Sequence, residues 1–150
     1  MSSITEVARY ILERQGRMTT MKLEKLAFYA QARSLAMTGK PIFDEDFEAW
    51  AGGPVSPELF GFHRGRFSIS AADLRVPLKK LPDSTKHIVD STCDSLGGLT
   101  GNQLSEKTHR EDPWKITRGE TPLQSPSSAI ISKNIIAQYY SSHPHKLEID

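Results

Sequence analysis

The sequence predicts a mainly α-helical, compact single domain with a small β element near residues 47–50. Most of the chain shows apolar positions at helical spacing, which favours about five to seven helices. Residues 47–50 instead have aromatic ends and precede a Gly and Pro cluster, which is typical of a brief strand and turn. A length of 150 residues with 37% hydrophobic content suits one domain with its own core.

The first helix is expected over residues 4–15. Ser3 and Glu6 form a capping-box pattern at its start, and Gly16 is a natural stop because glycine tolerates positive φ. The second helix should cover residues 20–39. Its apolar positions spread beyond one face, which indicates a central position in the core. The expected buried stripe consists of Leu23, Leu26, Ala27, Ala30, Ser34 and Met37.

The middle of the chain changes character after the second helix. The predicted strand at residues 47–50 is followed by a tight turn at residues 52–54. Ser56 then looks like an N-cap, with Pro57 at the first helical position, where its missing amide hydrogen costs nothing. Residues 65–82 show no regular pattern.

Two further helices are expected between residues 83 and 112. Asp83 or Ser84 should cap the first of them, and residues 97–98, both glycine, should end it. Thr100 starts another capping-box pattern. Residues 112–113, Asp-Pro, should end that helix, because proline pushes its predecessor out of helical geometry.

The sequence after residue 118 predicts a loop followed by a final helix. The loop covers residues 119–130, and Ser132 should cap the helix that follows. We expect the domain to cover residues 1–142 and a short, solvated C-terminal tail to cover residues 143–150.

Charge is distributed in blocks, although the net charge is only +1. Residues 1–40 carry seven Lys or Arg and three acids, residues 41–60 carry five acids and no Lys or Arg, and residues 61–82 carry a net charge of +4. Such alternation is compatible with a patterned surface that orients a protein partner. It is equally compatible with an ordinary solvated surface.

Several features indicate a soluble cytoplasmic protein without a membrane partner. There is no apolar run near the ~20 residues that span a bilayer, and no signal-peptide core at the N-terminus. Cys93 is the single cysteine, so it forms no internal disulfide. It lies on an apolar stripe, which favours a small buried hydrophobe over a nucleophile.

Enzyme chemistry finds little support in the sequence. No G-x-S-x-G elbow, Walker loop or H-E-x-x-H helix is present. His143 and His145 are close neighbours but lack a third ligand. We therefore expect no catalytic residue, no metal and no cofactor. If an unrecognised enzyme site existed, His109 with Glu111 or Asp112 would be its place.

DNA binding is also disfavoured, although the first two predicted helices are spaced as in a helix-turn-helix. The second helix is too apolar to lie free in a groove, and the near-neutral charge leaves little surplus for phosphate binding.

Four motifs carry more information than composition does. K-L-E-K-L-A-F-Y-A-Q occupies residues 22–31, E-A-W residues 48–50, G-P-V residues 53–55 and H-R-E-D-P-W residues 109–114. In this order they resemble the Panacea family, the SocA-like antitoxin domain that also includes GepA-type phage-associated proteins. The resemblance covers residues 1–140, nearly the whole chain.

This resemblance implies a non-enzymatic antitoxin of a type II-like, prophage-associated toxin-antitoxin system. Its partner would be a cognate toxin, neutralised by direct protein–protein contact. In the SocA-type branch the antitoxin is an adaptor that delivers the toxin to a protease, which makes a protease a second candidate partner. A prophage-encoded regulator of a host protein is the other alternative. The family pairs with unrelated toxins, so the motifs identify neither the toxin nor the oligomeric state.

The motif residues are the candidates for partner contact, since partly exposed aromatic side chains anchor interfaces. Residues 109–112 are the best candidates for a polar constellation, which Gln31 is expected to meet from the second helix. The alternative is that the motif residues belong to the core or to a buried network that ties the C-terminal half to that helix. The candidates are Tyr29, Gln31, Trp50, Pro54, Val55, His109, Arg110 and Trp114.

Overall fold

Helix α2, Thr20–Thr38, forms the centre of the fold. The computed structural model describes residues 1–77 and 80–149. Every residue of α2 from Leu23 to Leu35 is buried, because four other helices pack around it. These are α1 (Ile4–Gln15), α4 (Asp83–Leu96), α5 (Gly101–His109) and α7 (Lys133–Ser142). The shorter helices are α3 (Pro57–His63) and α6 (Asp112–Arg118). The mainly helical fold class is therefore confirmed.

The ends of the first two helices match the sequence prediction. Ser3 and Glu6 form the capping box of α1, each accepting a hydrogen bond from the other's backbone amide. Gly16 follows with φ of 84°. Helix α2 ends at the left-handed Gly39. The expected buried stripe is correct except at Met37, which is 64% exposed because the last turn of α2 extends beyond its neighbours.

Two small antiparallel sheets accompany the helices. Strand β1, Met18–Thr19, pairs with β4, Ser68–Ile69. Strand β2, Phe47–Trp50, lies between β3, Gly53–Val55, and β5, Ile130–Ile131. The prediction of β2 is confirmed, but the turn is limited to residues 51–52. Pro54 lies in β3, an edge strand, where the missing amide hydrogen of proline is tolerated.

Two helix starts differ from the sequence prediction. Pro82 occupies the N-cap position of α4, and Asp83 lies within the first turn, where its negative charge interacts favourably with the helix dipole. The Asp112-Pro113 pair does not simply end a helix. Helix α5 ends at His109 and α6 begins at Asp112, with Pro113 in its first turn.

The predicted C-terminal tail packs against the domain instead of lying free in solvent. Residues Pro144–Leu147 form a short 3₁₀ helix, Leu147 is buried, and Arg33 donates a hydrogen bond to the Leu147 carbonyl oxygen at 2.9 Å. Asp150 lies outside the described residues. The predicted boundary at residue 142 stays a prediction.

Residues 65–82, expected to be irregular, include β4 and a 3₁₀ turn at Ala71–Asp73. Leu78 and Lys79 of this segment lie outside the described residues. Across residues 1–77 and 80–149, none of the helices combines the length and the hydropathy needed to span a bilayer.

Candidate partner-binding surface

The β2–β3 hairpin brings several of the candidate residues to one side of the molecule. Trp50 ends β2 and is partly exposed, with its ring edge against Phe60 at a centroid distance of 5.0 Å. Its indole Nε1 donates a hydrogen bond to Glu48 Oε1 at 2.8 Å. Pro54 and Val55, on β3, are buried. Trp50 is therefore the member of the hairpin motifs best placed for a partner.

Helix α6 packs against the hairpin through Trp114. Trp114 is 5% exposed, and its Nε1 donates a hydrogen bond to the Trp50 carbonyl oxygen at 2.8 Å. His109 stacks on Trp114 with ring centroids 4.1 Å apart, and Arg110 is exposed. The His109–Trp114 segment thus holds the hairpin in place, and Trp114 offers little surface of its own.

Arg118, which the sequence analysis did not single out, fixes the loop beside the hairpin. Its guanidinium donates hydrogen bonds to the carbonyl oxygens of Ala49 at 2.9 Å, Pro122 at 2.6 Å and Ser125 at 2.7 Å. The guanidinium also lies 5.1 Å from the Trp114 ring. Four-residue spacing from Trp114 would have indicated this contact, had α6 been predicted.

Between the hairpin and this loop lies a cavity of about 680 Å³, which we call the hairpin groove. It is lined mainly by apolar atoms of residues 50–52, of the loop residues Gln124, Pro126, Ser127 and Ser128, and of Glu48. A partly exposed tryptophan in an apolar concave site is the usual setting of an interface anchor.

A second cavity of about 380 Å³ adjoins the groove and shares Glu48 with it. Its lining includes all five acids of residues 41–60, together with Pro57 and Ile130, and we call it the acidic basin. The acids are Asp44, Glu45, Asp46, Glu48 and Glu58. The charge block seen in the sequence therefore becomes one concave surface.

Tyr29 and Glu111 belong to a buried polar network behind this surface. Tyr29 and Tyr140 each donate a hydrogen bond to Glu111 Oε1 at 2.6 Å. Lys107 Nζ donates to Glu111 Oε2 at 2.8 Å. Burial, Tyr29 and Glu111 raise the pKa of Tyr140. Because Glu111 is 1% exposed and its oxygens are engaged in this way, it forms no acid–base pair with His109.

The expectation that Gln31 meets residues 109–112 is wrong. Gln31 Nε2 donates to the Phe43 carbonyl oxygen, and its Oε1 accepts from the Ile42 amide, both at 2.8 Å. Tyr29 and Gln31 are two residues apart, about 200° around the helix axis, so the two side chains point to different neighbours. Gln31 is 1% exposed and fixes the chain that enters the acidic basin.

Lys25 lies beneath the hairpin and is 2% exposed. In the part of the chain that the structure describes, its ammonium forms no hydrogen bond. Burial lowers its pKa to about 8, although the neighbouring Glu24 counteracts this shift. Burial raises the pKa of Glu24, while hydrogen bonds from His63 and the Ser56 amide counteract it. His109 has a lowered pKa because of burial and the nearby charge of Lys25.

Other groups with chemical potential are not arranged as a site. Cys93 is 5% exposed, and burial raises its pKa to about 11, which disfavours the nucleophilic thiolate. Within residues 1–77 and 80–149, no three His, Cys, Asp or Glu side chains cluster with the geometry of a metal site.

A sequence model of the family described as Antitoxin SocA-like, Panacea domain, matches residues 23–115, which is more than half of the chain. The chain belongs to this family. The Panacea match begins on α2 and ends on α6, so it includes the hairpin, His109 and Trp114. It ends before the loop that completes the hairpin groove. Membership of the family supports an antitoxin role.

A curated relative agrees with this assignment. Antitoxin SocA of Caulobacter vibrioides (strain NA1000 / CB15N) is 26% identical over 110 residues, which cover 65% of this chain and 58% of the relative. The chain therefore aligns with a little over half of that protein's length. No solved structure matches the chain.

Proposed function

We propose that this protein is an antitoxin that neutralises a protein toxin by direct binding, with the hairpin groove as part of the contact surface. Membership of the SocA-like Panacea family supports the antitoxin role. The single observation that favours this surface is the position of Trp50 at the edge of an apolar groove. Its side chain is partly exposed and is fixed by contacts with Phe60 and Glu48.

Action by binding, without catalysis, agrees with the chemistry of the titratable groups. The side chains that a small enzyme would use are already committed to structure. Glu111 accepts hydrogen bonds from two tyrosines and Lys107, His109 stacks on Trp114, and Cys93 is buried with a raised pKa. We also infer that α2 reads no DNA, because it is buried from Leu23 to Leu35.

The test is co-expression of this protein with the product of the adjacent gene in the source genome. Growth is scored first, and then the two proteins are co-purified. We expect wild-type protein to restore growth and to form a stable complex. Absence of toxicity, or rescue without a complex, would contradict neutralisation by direct binding. Rescue with protease-dependent loss of the toxin would indicate delivery to a protease instead.

Variants then locate the surface. Trp50→Ala should abolish rescue, as should Ser128→Arg, which fills the groove from an exposed position without removing any packing. Phe67→Ala is the matched control, since Phe67 is an aromatic residue that is 84% exposed and lies outside the groove. Thermal midpoints of all three variants must stay near the wild-type value. If Ser128→Arg rescues as well as Phe67→Ala does, the groove is not the contact surface.

A further inference from the structure

The hairpin groove and the acidic basin form one continuous surface with two different characters. Glu48 lines both cavities. Its carboxylate accepts a hydrogen bond from Trp50, which lies on the groove side. On the basin side, the cavity continues past Glu58 and the exposed Ile130. A partner that covers one cavity would therefore also meet the other.

Most of the negative charge in the basin has no cationic partner. Asp46 forms an ion pair with Lys133 at 2.6 Å. Glu45 accepts a hydrogen bond from the Ile4 amide at 3.2 Å, at the start of α1. The carboxylates of Asp44 and Glu58 are exposed and, among the described residues, form no ion pair, while Lys133 Nζ also donates a hydrogen bond to the Asp44 carbonyl oxygen at 2.9 Å. The basin thus presents a concentrated negative field beside an apolar groove.

We propose that this combined surface binds a toxin segment in which an apolar side chain is flanked by Lys or Arg residues. The apolar side chain would enter the hairpin groove against Trp50. The basic side chains would face Asp44 and Glu58, because charge complementarity fixes register and speeds encounter. This inference rests on the proposed function and specifies the chemistry of the partner. A phosphate-rich partner would be repelled by the same field.

The test measures affinity and association rate for the toxin identified by rescue, in an inactivated form, at low and high salt. Glu58→Lys and Asp44→Lys reverse the two unpaired charges. Asp83→Lys is the control, because Asp83 is an exposed acid in the first turn of α4, as Glu58 is in the first turn of α3. Glu58→Lys and Asp83→Lys therefore change the net charge and the helix-dipole interaction equally.

We expect Glu58→Lys and Asp44→Lys to weaken binding about tenfold or more, mainly through slower association, while Asp83→Lys stays near wild type. Raised salt should weaken wild-type binding and should affect the two basin variants much less. If the wild type rescues and binds but the basin variants behave like Asp83→Lys, the inference is wrong and the proposed function stands. If no toxin binds at all, both fall. Self-association that Glu58→Lys abolishes would assign the surface to a second copy of the chain and overturn the inference.

Discussion

Lys25 shows how one residue of a recognisable motif is placed at a cost to stability. Its side chain is 2% exposed, and a hydrogen-bond partner for its ammonium is absent from the described part of the chain. Burial of the ammonium favours the neutral amine and outweighs the attraction of the neighbouring Glu24, which explains why the pKa of Lys25 falls to about 8. Below that pH the folded protein holds a desolvated charge.

We expect Lys25→Met to stabilise the protein at pH 7 by at most about 3 kcal/mol, which is the free-energy equivalent of the pKa shift. Below pH 8 both the folded and the unfolded wild type are protonated at Lys25, so the full penalty applies. Between pH 8 and pH 10.5 the unfolded wild type binds more protons than the folded protein does, and the wild type regains stability. The advantage of the variant should therefore shrink by pH 9.5.

Urea unfolding of both proteins at pH 7 and pH 9.5 measures this difference. Cys93 and Tyr140 titrate in both proteins, so their contributions cancel. Lys115→Met, at an exposed lysine, is the control and should show no such pH dependence. An equal difference at both pH values would show that Lys25 is not a buried ammonium.

The β2–β3 hairpin links two motifs that are far apart in the sequence. Gly53 begins β3 with φ of 117°, a backbone region that other residues rarely adopt. A Cβ at this position would lie 2.7 Å from Lys25 Cε and 3.0 Å from Thr108 Oγ1. The Gly of G-P-V is thus required both by its own φ and by the lysine of the α2 motif.

Gly53→Ala should lower the free energy of unfolding by about 2 kcal/mol or more, through backbone strain and the contact with Lys25. Gly52→Ala is a close control, because a Cβ on the neighbouring glycine would meet nothing within 4 Å. That variant should stay within about 0.5 kcal/mol of wild type. Comparable losses in the two variants, measured by chemical denaturation, would refute the close packing of Lys25 under the hairpin.

The sequence predicts an element well where its ends are set by contacts between neighbouring residues. Ser3 with Glu6, and Gly16, fixed α1 because capping is a contact between near neighbours. Strand β3 and helix α6 were missed for the opposite reason. Pro54 and Pro113 read as breakers, yet an edge strand and a first helical turn both accept proline.

The surface itself was predictable only in part. Trp50 and the acidic block were visible in the sequence, but the chain contacts that make them concave come from residues 118–130, which carry no motif. Gln31 was assigned to the wrong neighbour because helix phase alone does not say which loop passes over α2.

At the scale of the whole molecule, Glu111 joins three helices around the core. It precedes α6 and meets Tyr29 of α2, Lys107 of α5 and Tyr140 of α7. Glu111→Gln would leave the Lys107 ammonium facing an amide donor in a buried site. We expect a loss of about 3–5 kcal/mol in the free energy of unfolding, as for other buried pairs with one member removed.

The double variant Glu111→Gln with Lys107→Met distinguishes a broken charge pair from lost packing. It removes the Lys107 charge together with the Glu111 charge, while the glutamine oxygen still accepts from both tyrosines. Its loss should be smaller than that of Glu111→Gln alone. Additive losses in a double-mutant cycle would show that Lys107 and Glu111 are energetically independent.

The single cysteine has a practical consequence for studying this fold. Cys93 lies on the inner face of α4, and its thiol reacts with an alkylating reagent only when that helix opens. The labelling rate of the unmodified protein therefore reports the opening free energy of one helix, without an introduced probe. A toxin whose binding requires α4 to be closed must slow this rate by mass action. The chain thus carries its own sensor of occupancy, on a helix that does not line the surface proposed to be occupied.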